Sequence, residues 1–295
     1  MIYPIKMGKA LHLRTSGISD IGLQREGNED SLLVEDSLGL YIVADGMGGH
    51  LAGEVASQVA VEMINRSYRK WLMNETPEDE LFGHPDRSLS KPGNYILSSI
   101  RLANRVIYEM AVEYEQYHGM GTTVSIVLVT PGLVVAANVG DSRIYMVRDG
   151  HLERLSKDHT IVSEQVEMGV MSAEEAAASP LKHILTRNLG SAETVDAEIF
   201  EIEPSGRDRL ILCSDGLTDL VSDEEILAVT KKAEDPENLC KRFVQLVRSR
   251  GAHDNTTIVS VFLDDTGKGR GRVLKKMGML FSRRARKPSK VQEKI

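Results

Sequence analysis

Leu40-Tyr41-Ile42-Val43-Ala44-Asp45-Gly46-Met47-Gly48-Gly49-His50 decides how the rest of the chain is read. Five apolar residues in a row predict a strand buried on both faces, and Asp-Gly ends it. A strand that stops this way points a carboxylate out of the sheet rim, where glycine lets backbone or ligand come close. Four more acidic motifs follow the same logic: Arg25-Glu26-Gly27-Asn28-Glu29-Asp30, Gly140-Asp141-Ser142-Arg143, Ser214-Asp215-Gly216 with Asp219 behind it, and Asp254-Asn255-Thr256. One Asp-Gly alone is a turn. Five such ends converging would form an oxygen-only cage, which suits hard divalent ions such as Mg²⁺ or Mn²⁺.

Working outward, strands are expected over 11–16, 31–34 and 38–44. Val55, Val59, Met63 and Trp71, with Ala56, Ala60 and Ile64, predict a long helix beginning near Glu54. Residues 74–94, rich in proline, glycine and acids, read as a surface loop. Ile96, Ile100, Ala103, Ile107, Met110 and Tyr114 then share one face of a second helix. The runs 123–129, 133–138, 143–147 and 151–155, joined by short turns, predict an antiparallel meander. Short helices are expected within 158–169 and 173–178, strands over 197–202 and 209–213, helices over 223–232 and 236–250, and a last strand over 257–263. Consecutive strands with intervening helix pairs argue for an α+β fold and against a doubly wound parallel sheet.

The chain has 295 residues, 41% hydrophobic and 27% charged, a profile that supports a sizeable core. No apolar run reaches the roughly 20 residues of a membrane span, and Lys6 and Lys9 precede no apolar stretch of the secretory kind. Cys213 and Cys240 give neither a disulfide framework nor zinc spacing, so a cytoplasmic protein is expected. Residues 266–295 hold eleven Lys or Arg against Glu293 alone, which leaves −17 of the net −7 on the first 265 residues. An acidic body is poorly suited to nucleic acid and fits carboxylates gathered around metal.

These motifs and their order resemble the metal-dependent serine/threonine protein phosphatases, the PPM or type 2C family, in their compact bacterial form. The likeness runs from about Thr15 to Asp264. It implies a catalytic domain over 1–265, a four-layer α-β-β-α sandwich of two antiparallel sheets flanked by helices, and a basic tail over 266–295. By the resemblance, Asp45 bridges two Mn²⁺ or Mg²⁺ ions and the Gly46 carbonyl binds one of them. Asp215 and Asp254 complete the other ion's shell, and Asp141 joins Asp215 around a third, more weakly held ion. Read from the residues alone, Gly140-Asp141-Ser142-Arg143 is also a good hairpin turn. Two ions about 3.5–4 Å apart can share and acidify a water, so no protein nucleophile is required. Neither cysteine has an arginine six residues on, which removes the cysteine-nucleophile loop.

Arg25 matches the arginine that grips the substrate phosphate, for which a planar fork is suited. Glu29 and Asp30 are expected to orient water on the metals. Asp219 is open to that role or to capping a helix, and Asn255 to fixing the Asp254 loop. Animal members carry a histidine where this chain has Met47. His50 lies nearby without matching it, so the general acid stays unassigned, with water the simpler candidate.

The expected substrates are phosphoserine and phosphothreonine in proteins, and the expected partner is a serine/threonine kinase whose products the enzyme reverses. A monomer is expected. Rival readings are a binding module of the same shape without catalysis, and a small-molecule phosphatase. Residues 158–178 read as a mobile flap in which Met168, Val170 and Met171 either grip substrate or pack in the core. In the tail, Val273, Leu274, Met277, Leu280 and Phe281 fall on one helical face, as in a helix that rests on an anionic membrane or an acidic partner. A disordered solubilising tail, or one folded back on the acidic body, is the alternative.

Overall fold

The computed structural model of the chain describes residues 11–48 and 51–265. Its strands are β1 (Leu11–Asp20), β2 (Asp30–Glu35), β3 (Leu40–Met47), β4 (Gly121–Thr122), β5 (Val124–Thr130), β6 (Leu133–Val139), β7 (Arg143–Arg148), β8 (His151–Arg154), β9 (Glu198–Ile202), β10 (Arg209–Cys213) and β11 (Thr256–Asp265). Its helices are α1 (Leu51–Met73), α2 (Lys91–Glu113), α3 (Ile161–Glu167), α4 (Ala173–Ala178), α5 (Asp215–Thr218), α6 (Asp223–Lys232) and α7 (Pro236–Ser249). One sheet runs β1-β11-β10-β7-β8 and the other β2-β3-β5-β6-β9, with β4 paired to β3. Every pairing is antiparallel.

The apolar runs sort themselves by strand periodicity into three core layers. Along β3, Leu40, Ile42 and Ala44 face α1 and α2, whereas Tyr41 and Val43 face the other sheet. On α1, Ala52, Ala56, Ala60 and Ile64 recur every fourth residue and form the buried stripe, their small side chains letting the helix lie close to β3. Between the sheets, Val127, Val134 and Ala136 meet Ile144, Leu210, Leu212, Val259 and Val261. Beyond the first sheet, Ile211, Cys213, Ile258 and Phe262 pack against Leu239, Phe243 and Val247 of α7. The expected four-layer sandwich is what forms. Cys213 and Cys240 are buried and unpaired, as read.

Three expectations need correction. The first helix starts at Leu51 rather than near Glu54, and the second at Lys91 rather than after Asn94. Ser90 caps that second helix by accepting from Gly93 N, and Pro92 sits in a first turn that needs no N–H from it. The meander is two hairpins rather than one: β5–β6 belong to one sheet and β7–β8 to the other. Gly140-Asp141-Ser142 therefore crosses between sheets. Gly140 has φ +104° and a Cβ there would stand 2.6 Å from Thr123, so the crossing requires glycine.

Among the described residues no helix is long and apolar enough to cross a membrane. The expectations for His50, for Lys6 and Lys9, and for the tail over 266–295 lie outside the described residues. The layer between the sheets sets the distance at which their rims meet. Leu210→Ala, at a fully buried position in that layer, should lower the unfolding free energy by about 2–5 kcal/mol in urea titrations. A loss below about 0.5 kcal/mol would mean that the layer does not hold the sheets together.

Candidate active site at the strand ends

The acidic motifs meet at one rim of the sandwich. Asp45 and Gly46 close β3, Asp254 precedes β11, Asp215 follows β10, and Asp141 lies on the crossing from β6 to β7. With Arg25, Glu29, Asp219 and Asn255 they line one cleft of about 620 Å³. Asp30 pairs with Asp45 across β2 and β3 and is buried behind that lining. A second cavity of about 650 Å³, at the far end of the first sheet beside Arg207 and Lys231, contains none of the motif residues.

Backbone packing fixes Asp45. Its N–H donates to Thr123 Oγ1 at 3.0 Å, and its carbonyl accepts from Thr122 Oγ1 and Thr123 N. A Cβ on Gly46 would lie 2.1 Å from the Gly53 carbonyl oxygen, so the first turn of α1 rests directly on this strand end. Glu29 sits in the same junction: Gly46 N and Ser57 Oγ donate to its carbonyl. Asn255 does more than fix the Asp254 loop. It donates to the carbonyls of Ile21 and Gly27 and accepts from Glu29 N, so it also shapes the loop that carries Arg25. Arg25 Nη2 binds Asp254 Oδ2 at 2.7 Å from a half-exposed position on the rim.

Deeper in, Asp30 Oδ2 accepts from Ser214 Oγ at 2.8 Å, while its Oδ1 is buried without a hydrogen-bond partner. Burial, reinforced by Asp215 and Asp254, pushes the Asp30 carboxyl up to about 7. Asp45 is held well above the usual carboxylate range, first by burial and then by Asp30, Asp215 and Asp141. Asp141 is likewise pushed up to about 7 by burial and by Asp215. For Asp215, burial acts upward, but hydrogen bonds from His183 and Asp45 outweigh it and hold the group low. Carboxylates gathered this closely out of water raise one another's pKa. The set is rich in oxygen donors and negative charge, and one buried oxygen is orphaned. It fits hard divalent ions.

Residues 24–254 match the family described as Protein phosphatase 2C. The chain belongs to that family. A putative protein phosphatase 2C-type protein of Streptococcus pyogenes is 35% identical over 250 residues, 82% of this chain and 94% of its own. The serine/threonine phosphatase stp of Listeria monocytogenes is 34% identical over 255 residues, 85% and 96% of the two chains. The solved catalytic domain of the serine/threonine protein phosphatase PstP, in complex with two manganese ions, superposes with a TM-score of 0.72 at 33% identity and covers 87% of this chain and all of its own.

This type 2C phosphatase also brings to the cleft residues that its sequence did not announce. His183 Nδ1 lies 3.3 Å from Asp215 Oδ2 and its Nε2 3.3 Å from Asp219 Oδ2. Lys182 Nζ is 3.1 Å from Asp219 Oδ1, and His253 Nε2 is 3.5 Å from Asp219 Oδ2. Asp219 is thus close to three basic groups and is also the C-cap of α5, its N–H donating to Asp215 O. The hydrogen bond to Asp215 raises the His183 pKa. The expected flap over 158–178 stops short of these contacts, which fall at 182–185. Met168 and Val170 are 74% exposed, so core packing does not explain them. No periodicity marks Lys182 or His183; a pair of bases in an acidic body was the one available signal.

The raised Asp30 pKa makes a signed prediction for the protein in EDTA. Asp30 holds its proton more tightly folded than unfolded, so it adds stability below its unfolded value of about 3.9. That contribution is lost as pH rises through about 7. Asp30→Asn should be near wild type in urea titrations at about pH 4, gain on wild type as pH rises toward about 7, and be more stable than wild type at about pH 8. An equal difference at both pH values would place the titration elsewhere.

Proposed function

We propose that this chain hydrolyses phosphoserine and phosphothreonine in proteins with the aid of two or three Mn²⁺ or Mg²⁺ ions. The observation that carries this reading is the meeting of Asp45, Asp141, Asp215 and Asp254 in one cleft with Arg25 on its rim. Asp45 and the Gly46 carbonyl would hold the ion pair, with Asp215 and Asp254 completing it and Asp141 serving a third ion. Bound ions of this kind supply Lewis acidity and a water acidified toward neutral pH.

The chain's own residues bind and orient. One arm of Arg25 is committed to Asp254, and the remaining guanidinium N–H groups are available for phosphate oxygens in a planar fork. Asn255 keeps that arginine over the acidic rim by tying its loop to Glu29 and Gly27. Glu29 lines the cleft beside Asp45 and would orient water there, while Asp30 supports Asp45 from behind, across β2 and β3. Met47 carries no proton to give a leaving alkoxide; its sulfur accepts from Asn188 Nδ2 at 3.4 Å. The full set of acidic candidates favours an enzyme over a binding module of the same shape.

The substrates are made by serine/threonine kinases, so a kinase of that class is the partner reaction. Unpaired, buried Cys213 and Cys240 support a cytoplasmic protein. Residues 1–265 would form the catalytic unit, while 266–295, carrying +10, would contact an anionic membrane surface or an acidic partner.

Asp45→Ala should reduce turnover of p-nitrophenyl phosphate by at least about 10³-fold, as expected when several kcal/mol of charge stabilisation is lost. Wild-type turnover in that variant, or full activity in EDTA, overturns the assignment. Arg25→Ala removes a charged hydrogen bond worth about 1.5–3 kcal/mol, which is roughly a 10- to 150-fold loss in affinity. It should appear mainly as a higher KM for phosphopeptide. A fall in kcat with KM unchanged would deny it a role in ground-state phosphate binding.

A further inference from the structure

His183 is a cleft residue without a role in the reading above. It lies on the segment returning from α4 toward β9, and hydrogen bonds on its C-terminal side fix that segment. Ile161 N donates to Ile184 O at 3.0 Å, Thr160 bridges Leu185, and Thr186 N donates to His159 O at 2.9 Å. His159 is itself buried against the crossing: its N–H donates to Gly140 O, and Gly140 N donates to its Nδ1. The segment that carries His183 is therefore fastened to the same turn that carries Asp141.

The consequence is a three-residue donor set. Asp141, His183 and Asp215 each offer one ligand atom, and the three atoms lie within 4.8 Å of one another. In an octahedral shell with bonds of about 2.1 Å, neighbouring donors stand about 3 Å apart and opposite ones about 4.2 Å. The 3.3 Å between His183 Nδ1 and Asp215 Oδ2 is already close to a neighbouring edge. A half-exposed imidazole on a loop can make the remaining adjustment without repacking the core.

We propose that His183 supplies a nitrogen ligand to a divalent ion held by Asp141 and Asp215. This rests on the metal-dependent reading above, and it makes the third site a mixed nitrogen–oxygen site, unlike the all-oxygen pair around Asp45. Imidazole suits Zn²⁺ or Co²⁺ best, is accepted by Mn²⁺ more weakly, and offers little to Mg²⁺, which keeps to oxygen and water. The weakest site of the cleft would then discriminate between ions where the main pair does not.

Pulsed electron paramagnetic resonance on the full chain titrated with Mn²⁺ tests this directly, because an imidazole bound to Mn²⁺ gives a ¹⁴N modulation that carboxylates cannot. The signal should grow with the last equivalent of Mn²⁺, persist in His253→Asn and vanish in His183→Asn. That last variant should bind its weakest Mn²⁺ at least about tenfold less tightly, with Mg²⁺ affinity unchanged. A ¹⁴N signal that survives in His183→Asn overturns the proposal, as does wild-type protein that binds Mn²⁺ and hydrolyses p-nitrophenyl phosphate without one. In both cases the two-ion reading stands and His183 is only an ion-pair partner. Protein that binds no Mn²⁺ at all overturns both readings.

Discussion

Mutual repulsion among Asp30, Asp45, Asp141, Asp215 and Asp254 is the constraint around which this end of the molecule is organised. Carboxylates brought together out of water raise one another's pKa, and a chain that assembles five of them must oppose their separation. The opposition here is backbone packing. Gly46 lies under the Gly53 carbonyl, where any side chain would force α1 away, and Gly140 holds the Asp141 crossing against Thr123. Ser214 ties Asp30 to the first sheet by donating to its carboxylate while accepting from Thr257 N. The acids cannot drift apart unless the sheets do.

That rigidity has an electrostatic counterpart. Without divalent ions, the cleft takes its positive charge from nearby bases and from protons. Arg25 lies against Asp254, Lys182 against Asp219, and His183 between Asp215 and Asp219. Asp30 and Asp141, lacking a base of their own at hydrogen-bond distance among the described residues, are the groups pushed up to about 7. Burial and neighbouring acids raise Asp30 and Asp141, whereas the hydrogen bond from His183 holds Asp215 low.

Much of this was legible in the sequence because strands write their burial into it directly. Leu40–Ala44 and Leu210–Cys213 are covered on both faces and read as unbroken apolar runs, and each ends at the acid that the cleft uses. Asp45, Gly46, Asp215, Asp254, Asp141, Glu29, Asp30 and Arg25 all meet at one rim for that reason. The errors have local causes. The start of α2 hid behind Pro92 and Gly93, which read as loop residues until Ser90 is seen to cap the turn. The two hairpins looked like one meander because a crossing of Gly-Asp-Ser has the composition of a hairpin turn. Nothing along the chain says which sheet the next strand will join.

His183 was illegible for a different reason. Its position depends on contacts of residues 184–186 with residues 159–161, and on His159 packed against Gly140, none of which leaves a periodic mark. Because one buried imidazole joins the His183 segment to the Asp141 turn, the two cannot move independently. A change that displaces residues 182–185 must strain Gly140 and with it the carboxylate at 141, while the main pair around Asp45 is anchored separately through Thr123 and α1. The cleft is therefore mechanically divided: a rigid floor built from strand ends, and one wall whose donors, Asp141 and His183, shift together. Variation in the returning segment can alter that wall while leaving the floor intact.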